Sequence, residues 1–520
     1  MDFDAIVIGS GFGGAVSACR LAEAGARTLV LERGRRWDKT NYPLHSGDWL
    51  WDQHDPVGSN GWLDLRLFRH MAVAQGAAVG GGSHIYANIS AVPPRETFDA
   101  GWPPEITWDA LAPHYDTVGR MMNVQTIPDG QWTNRMKLMK EAADKIGAGD
   151  RFRKLELAVS FDAGFHYGLE DPVNLRHSRR FVNAQGVEQG TCVHLANCDI
   201  GCDADAKNTL DRNYLALAER KGAEIRPLHL VRTIEREGTG YRVHFDGIGE
   251  GKRRPGSATA ERVIVAAGSL GSTELLLRCR DVARTLPDIS PFLGRNWSSN
   301  GDFLTPSWHS DRRPEPSIGP TISSAIDFLD RSDSSQSYWI QDGGFPNFLE
   351  GWIRNGEASH AKIRVLMTAL RKALAHGPTD HVMPWFAQGV DAADGRLSLR
   401  RRWWLFGRHQ LTLSWQIAKS QKLIDAIVAM HRKLALAAGG TPMVPFTWTR
   451  LKYLITPHPL GGCNMGTTPE NGVVDHLGRV FGYPNLHVLD GAIVPEAVGV
   501  NPSRTIAALA ERTMAEIAKG

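Results

Sequence analysis

Six cysteines in 520 residues are too few and too unevenly placed to staple a disulfide framework, and a reducing compartment suits them better. No apolar run approaches the ~18 residues of a bilayer-spanning helix, and mean hydropathy is -0.27, so an integral membrane protein is not expected. Lys+Arg 59 stand against Asp+Glu 56, a net charge of +3 with no basic tract. That balance gives no footprint for nucleic acid and directs attention to small-molecule partners. There is no internal repeat and no low-complexity linker. Met1-Asp-Phe-Asp-Ala-Ile-Val-Ile-Gly9 runs straight into a strand-like segment without a charged leader, an apolar core or a small-residue cleavage site, so a cytoplasmic location is expected.

What is plentiful is glycine and tryptophan, 54 and 16 residues, which points to many tight turns and to a large apolar or aromatic pocket. The chain is 42% hydrophobic and 22% charged, an ordinary globular balance with room for two or three domains' worth of core.

Asp4 to Ile8 reads as a short buried strand, followed by Gly9-Ser-Gly11-Phe-Gly13-Gly14 and a helix-friendly run from Ala15 to Ala24. In such a unit Gly9 permits the sharp turn, Gly11 leaves no side chain between the backbone and a pyrophosphate, and Gly14 lets helix and strand pack closely. The helix start offers free N–H groups and a positive dipole end to phosphates. A second strand, Arg27-Thr-Leu-Val-Leu-Glu32, ends in an acidic residue after 17 positions from Gly14. That spacing sets Glu32 beside an adenosine ribose, where a carboxylate takes both hydroxyls, and disfavours a 2′-phosphate.

Strand patterns return at Ala223 to Arg226, Thr233 to Glu237, Tyr241 to Phe245 and Arg262-Val-Ile-Val-Ala-Ala-Gly268, the last a continuous apolar run typical of a strand covered on both faces. Leu486-His-Val-Leu-Asp490-Gly491 leads into a helix beginning near Asn501-Pro502. The expected fold is α/β: a Rossmann-type nucleotide domain assembled from 1–36, 76–100, 205–300 and 455–520. Segments 37–75, 101–204 and 301–454 form a second domain on a mostly antiparallel sheet, with a hairpin from Arg396-Leu-Ser-Leu to Leu411-Thr-Leu-Ser-Trp415.

In order along the chain, Gly9-x-Gly11-x-x-Gly14 with Glu32, Val79-Gly-Gly-Gly-Ser83, Val263-Ile-Val-Ala-Ala-Gly268, Gly294-Arg-Asn-Trp-Ser-Ser-Asn-Gly-Asp302, His458-Pro-Leu-Gly-Gly462, Asp490-Gly491 and Val500-Asn501-Pro-Ser-Arg-Thr505 resemble the glucose–methanol–choline (GMC) oxidoreductases, most closely the branch containing bacterial cholesterol oxidases. The likeness is carried by the two ends of the chain and is looser in the middle, the part that decides substrate. It implies FAD, with Gly9, Gly11, Gly14 and Glu32 on the ADP half and the Val231 backbone at the adenine. Ala267 and Gly268 would line the dinucleotide, and Gly80, Gly81, Gly82, Ser83 and Asn88 would run past pyrophosphate and ring. Asp490 and Gly491 would lie at the ribityl chain, with Asn501, Pro502 and Thr505 at the flavin end. In this pattern the asparagine usually stands nearer the serine, and here Tyr86 intrudes before Asn88.

The resemblance makes His458 and Asn501 the catalytic pair. His458 sits between Pro457 and Pro459 and before Gly461-Gly462, so its backbone is constrained. A neutral imidazole there takes the proton of an alcohol hydroxyl as the carbinol hydride leaves for flavin N5. Asn501, before Pro502, also suits a helix N-cap, and a helix starting there would direct its positive end at the flavin pyrimidine. The expected activity is oxidation of a bulky hydrophobic alcohol, sterol-like or otherwise lipophilic, with oxygen or another acceptor. In cholesterol oxidases a glutamate also sits over the steroid. The comparable His381-Val-Met-Pro-Trp385 has none, which argues against double-bond isomerisation.

Two further features leave alternatives open. Cys192-x5-Cys198-x3-Cys202 has a spacing similar to that of cluster-bearing flavin dehydrogenases, though the expectation is no metal and thiols packed as small apolar residues. A non-redox flavin lyase is the other alternative. Trp37, Trp49, Trp51 and Trp62, the segment Arg400 to Arg408, and a stripe of Ile363, Leu366, Met367, Leu370 and Leu374 beside Lys362, Arg371 and Lys372 are candidates for peripheral membrane contact. Their other reading is a lid helix packed on the core and a hairpin with solvated arginines.

Overall fold

The computed structural model describes residues 1–42, 49–249, 251–330, 336–346, 368, 378–401 and 409–518. Its larger sheet has seven strands. From one edge they run Glu224–Arg226, Thr28–Leu31, Phe3–Ile8, Arg254–Val265, Gly240–Gly247 and His229–Glu237, with Leu486–Val488 also on Arg254–Val265. The long strand Arg254–Val265 serves two neighbours on one edge. Its first half pairs antiparallel with Gly240–Gly247 and its last three residues pair parallel with Leu486–Val488, while Phe3–Ile8 takes the opposite edge in parallel. Parallel strands at the centre are buried on both faces, which is why Ile6, Val7, Val263, Ile264 and Val265 are all apolar and inaccessible.

The helix Phe12–Glu23 follows the first strand and presents Gly13, Gly14, Ala15 and Ala18 to the interior. Small residues are needed there: a Cβ on Gly14 would meet the Gly9 carbonyl oxygen at 2.1 Å, and one on Gly13 the Leu489 oxygen at 1.7 Å. Arg20 on this helix pairs with Glu511 of the C-terminal helix Ser503–Ile517 at 2.7 Å, and the Tyr214 hydroxyl donates to the same carboxylate at 2.6 Å. Chain ends nearly 500 residues apart are thus locked over one face of the sheet.

The second sheet has six antiparallel strands in the order Thr441–Pro442, Phe303–Trp308, Val382–Gly389, Tyr338–Asp342, Ser324–Phe328 and Phe152–Lys154. Alternation along Val382–Gly389 sorts its faces: Met383, Trp385 and Ala387 are buried, while Pro384 and Phe386 look into a cavity. The expected hairpin forms between Arg396–Arg401 and His409–Ser414. A four-stranded sheet of Leu454–Thr456, Met71–Gly76, Leu63–Leu67 and Leu50–Trp51 closes the remaining side.

One expectation needs correction. Trp37, Trp51 and Trp62 are buried, and Trp62 meets Trp37 and Trp49 ring to ring at about 6 Å, so these tryptophans form an internal cluster and offer nothing to a membrane. The basic–aromatic stretch within 402–408 and the stripe over 362–374 lie outside the described residues. No described helix is long and apolar enough to cross a membrane.

Candidate active site

One cavity of about 690 Å³ runs from the glycine turn of the large sheet to the inner face of the antiparallel sheet. At the first end it is lined by Gly9, Gly11, Glu32, Val231, Ala267 and Gly268. Gly9 holds φ +96°, and a Cβ there would strike the Ala266 oxygen at 2.4 Å, so only glycine makes this turn. A Cβ on Gly11 or Gly82 would meet nothing within 4 Å, because both face the open cavity. Gly81, at φ +52°, packs so closely that a Cβ would lie 2.7 Å from the Gly11 Cα. The glycine loop and the fingerprint therefore press together at one point of the wall. The helix beginning at Phe12 has no side-chain cap and no acidic residue in its first turn, leaving its N–H groups directed to that point.

Glu32 is buried and already engaged. One carboxylate oxygen accepts from Ser10 N (3.0 Å) and Ser10 Oγ (2.7 Å), the other from Gly34 N (2.8 Å). Asp490 accepts from Gly268 N, Ser272 Oγ and Ala492 N, and burial pushes it up to about 6. On the same wall Gln75 Nε2 and Trp51 Nε1 are buried donors without a partner among the described residues.

At the other end, His458 and Asn501 converge with three residues, Gln341, Asp302 and Thr456, that sequence reasoning left without a role. Asn501 Nδ2 is 3.2 Å from His458 Nε2, and Gln341 Nε2 donates to Asn501 Oδ1 at 2.8 Å. His458 Nδ1 lies 2.9 and 3.0 Å from the two oxygens of Asp302. Thr456 Oγ1 accepts the His458 backbone N–H at 2.9 Å and stands 2.5 Å from Asp302 Oδ2, so one hydroxyl fixes both partners. Burial raises the Asp302 carboxyl above its usual range, opposed by the imidazole and by Thr456. Leu304, Ile322, Phe345, Pro384 and Phe386 make the nearby wall apolar.

Gly491 and Pro502 also line the cavity, whereas Gly14, Gly80, Ser83, Asn88 and Thr505 stand behind its wall. Ser83 Oγ donates to the Gly80 oxygen and accepts from Leu210 N, holding the glycine loop. Thr505 Oγ1 pairs with the Tyr115 hydroxyl at 3.1 Å. Asn88 is fully buried at φ +65°. Asn501 does not cap the last helix: Pro502 occupies the cap position with no side-chain bond, because the Asn501 amide is spent on His458 and Gln341.

The cysteines sit elsewhere, around a small cavity of about 20 Å³ with His194 and Gly319. Cys192 is buried, but Cys198 and Cys202 are half-buried, less enclosed than the packing expectation. Burial pushes Cys192 well up and Cys202 up to about 11, so these two are thiols at neutral pH. Among the described residues, no group of three or more His, Cys, Asp or Glu is arranged to hold a metal ion.

A dinucleotide cradle continuous with a histidine–asparagine wall defines an FAD-dependent alcohol oxidoreductase. Comparison with known proteins agrees. Residues 395–510 match the model described as GMC oxidoreductase, and 7–37 that of an NAD(P)-binding Rossmann-like domain. A cholesterol oxidase of Acinetobacter baumannii is 33% identical over 99% of this chain and 94% of its own length. One from Mycobacterium tuberculosis is 33% identical over 98% and 90%. The solved structure of a pyridoxine 4-oxidase, given as from Mesorbium loti, superposes with a TM-score of 0.65 over 99% of both chains at 17% identity, a likeness of fold. The chain belongs to the GMC oxidoreductase family, and its cofactor is FAD. The open space over Gly11 and Gly82, the uncapped helix start and the partnerless Gln75 and Trp51 donors fit that group.

Proposed function

We propose that the protein oxidises a bulky hydrophobic alcohol, sterol-like or similarly lipophilic, to its carbonyl, with His458 as the base, Asn501 assisting and oxygen as electron acceptor. The observation that carries the reading is the polar pair His458–Asn501 set in a wall otherwise made by Leu304, Ile322, Phe345, Pro384 and Phe386. Such a wall excludes water from a carbinol and leaves one polar point to orient its hydroxyl. Asn501 Oδ1 is occupied by Gln341, so its Nδ2 faces His458 Nε2, and a substrate hydroxyl would take the place of that amide to hand its proton to Nε2. FAD, when bound, accepts the carbinol hydride at N5.

On this reading Gly9, Gly11, Gly81, Gly82, Glu32, Val231, Ala267, Gly268, Asp490, Gly491 and Pro502 bind the cofactor, while Gly14, Gly80, Ser83, Asn88 and Thr505 shape the walls from behind. The segments 1–36, 76–100, 205–300 and 455–520 then form the flavin domain and the rest the substrate domain. The stretch His381-Val-Met-Pro-Trp385, which supplies Pro384 to the apolar wall, contains no glutamate, which favours oxidation without double-bond isomerisation. Cholesterol oxidase is the name borne by both relatives cited above, which supports a sterol-sized substrate.

The test is anaerobic mixing of the yellow protein with a panel of sterols, long-chain and aryl alcohols. Loss of the oxidised flavin spectrum is expected with the bulky apolar members. His458→Ala should slow that loss ~10² to 10⁴-fold with FAD still bound. Reduction only by small polar alcohols would overturn the substrate class, and an unchanged rate in His458→Ala would overturn the base.

A further inference from the structure

We infer that Asp302 is the positioning residue of the reaction: its buried carboxylate holds the proton on His458 Nδ1, so that Nε2 keeps the lone pair that meets Asn501 Nδ2 and that a substrate hydroxyl would take over, and the imidazolium formed by proton uptake is stabilised. The inference rests on the reading of His458 as the base.

The hydrogen-bond directions form one chain. The Gln341 amide donates to Asn501 Oδ1, so Asn501 Nδ2 is the group turned to His458. A donor facing Nε2 requires a lone pair there, which places the imidazole proton on Nδ1. Both Asp302 oxygens lie within 3.0 Å of Nδ1, so Asp302 accepts and is the charged member of the pair. Asp302 is 0% exposed and His458 14%, so the carboxylate reaches solvent only through the ring it orients. Thr456 anchors both, and Asn300, two residues before Asp302, is fixed to Val500 and Gly499 by bonds of 2.8 and 2.9 Å, tying this turn to the loop that carries Asn501.

The other groups around the pair are few. Asp391 lies behind Asp302 but is consumed by Ser298 Oγ, Ser299 N, Ser299 Oγ and Ala393 N. The Phe386 ring lies 6.3 Å from the imidazole. Among the described residues no lysine or arginine is ion-paired with Asp302 or Asp391. When His458 takes the alcohol proton at Nε2, the O–H bond breaks, the N–H bond forms, and the new positive charge faces one buried carboxylate.

Stopped-flow flavin reduction by a reactive alcohol, measured across pH for the parent, Asp302→Asn and His458→Ala, tests this. In Asp302→Asn the plateau rate should fall about 10 to 10³-fold. Bound FAD and thermal midpoint should stay near the parent's. A plateau within threefold of the parent's overturns the inference. If His458→Ala is slow while Asp302→Asn is unaffected, only this inference fails; if His458→Ala is itself unaffected, the base assignment fails with it. A second readout needs no turnover: the downfield proton NMR spectrum should contain an Nδ1 proton that disappears in His458→Ala and shifts in Asp302→Asn. If no downfield proton is lost in His458→Ala, the proposed tautomer is wrong.

Discussion

Alanine at Gly11 and alanine at Gly14 should separate what the glycine fingerprint does for FAD from what it does for folding. A Cβ at Gly14 would overlap the Gly9 carbonyl oxygen at 2.1 Å and press the Ala266 side chain at 3.2 Å, so helix and turn must move apart. Overpacking of that kind costs about 1–3 kcal/mol or more, which exceeds the ~1 kcal/mol that alanine adds to a helix over glycine. Gly11 is the opposite case. Its φ is -69°, open to any L-residue, and its Cβ would meet no protein atom within 4 Å. Alanine there shrinks the unfolded ensemble but is a poorer N-cap, and the two effects should leave the apoprotein within about 1 kcal/mol of the parent. The methyl group would stand where the dinucleotide passes, and a tenfold loss of affinity is about 1.4 kcal/mol. Thermal unfolding of deflavinated protein, with and without a fixed excess of FAD, reads both quantities. Gly14→Ala should lower the apo midpoint, whereas Gly11→Ala should lower only the gain on adding FAD. Parent-like FAD affinity in Gly11→Ala would refute the route of the dinucleotide, and an apo midpoint as low as that of Gly14→Ala would refute the packing argument.

Glu32→Ala should weaken FAD retention and also destabilise the apoprotein by about 1–3 kcal/mol, because Ser10 N and Gly34 N lose their acceptor; gel filtration with flavin absorbance, and apo unfolding, measure the two losses. Asn501→Ala should slow flavin reduction while leaving the midpoint close to the parent's, since its amide is not a helix cap; a large stability loss without a rate effect would restore the capping role. Asp490 rises from 3.8 to about 6 through burial, so the folded apoprotein binds a proton that the unfolded chain has released. That group's contribution should fall by about 3 kcal/mol between pH 4 and 6 and then level off, and the slope should flatten in Asp490→Asn when stability is followed against pH. Iron analysis of anaerobically prepared protein should find none; about three irons per chain would move the enzyme to the cluster-bearing dehydrogenases.

The parts of this molecule that could be read from its sequence are those set by local chemistry. Phe3–Ile8, the glycine turn and Thr28–Leu31 announce themselves because the turn, the buried strand and the acidic residue after it all fall within one short unit. The strands near 226, 234, 244 and 264 and the hairpin at 396 to 414 were legible for the same reason, through apolar runs and alternation. Glu32 lines the cavity, but its bonds to Ser10 and Gly34 were not visible in the sequence, because they depend on how the turn closes.

The misreadings share a cause, which is that tertiary partners outbid local preference. Asn-Pro at a helix start is a capping pattern, yet Asn501 turns instead to His458 and to Gln341, 160 residues earlier in the chain. Four tryptophans between 37 and 62 are compositionally the same whether they meet lipid or one another, and only the strand pairing of Leu50–Trp51 with Leu63–Leu67 decides for an internal cluster. Asp302 was present in a recognised segment without a role, since nothing within that segment says that a carboxylate will meet a histidine 156 residues away. The signal was nonetheless there in a weaker form. An aspartate ending a Ser-Ser-Asn-Gly turn and opening the strand Phe303–Trp308 has to be buried as the sheet closes, and a buried carboxylate requires a donor. Among the histidines, His458 is the one whose flanking prolines and glycines fix its backbone against that same turn, where Ser298 and Leu460 exchange backbone bonds of 3.0 and 3.1 Å. The end of the cavity that holds His458 and Asn501 is therefore assembled by loops that pair with one another, and its residues become legible only when a partner is sought for each buried charged side chain.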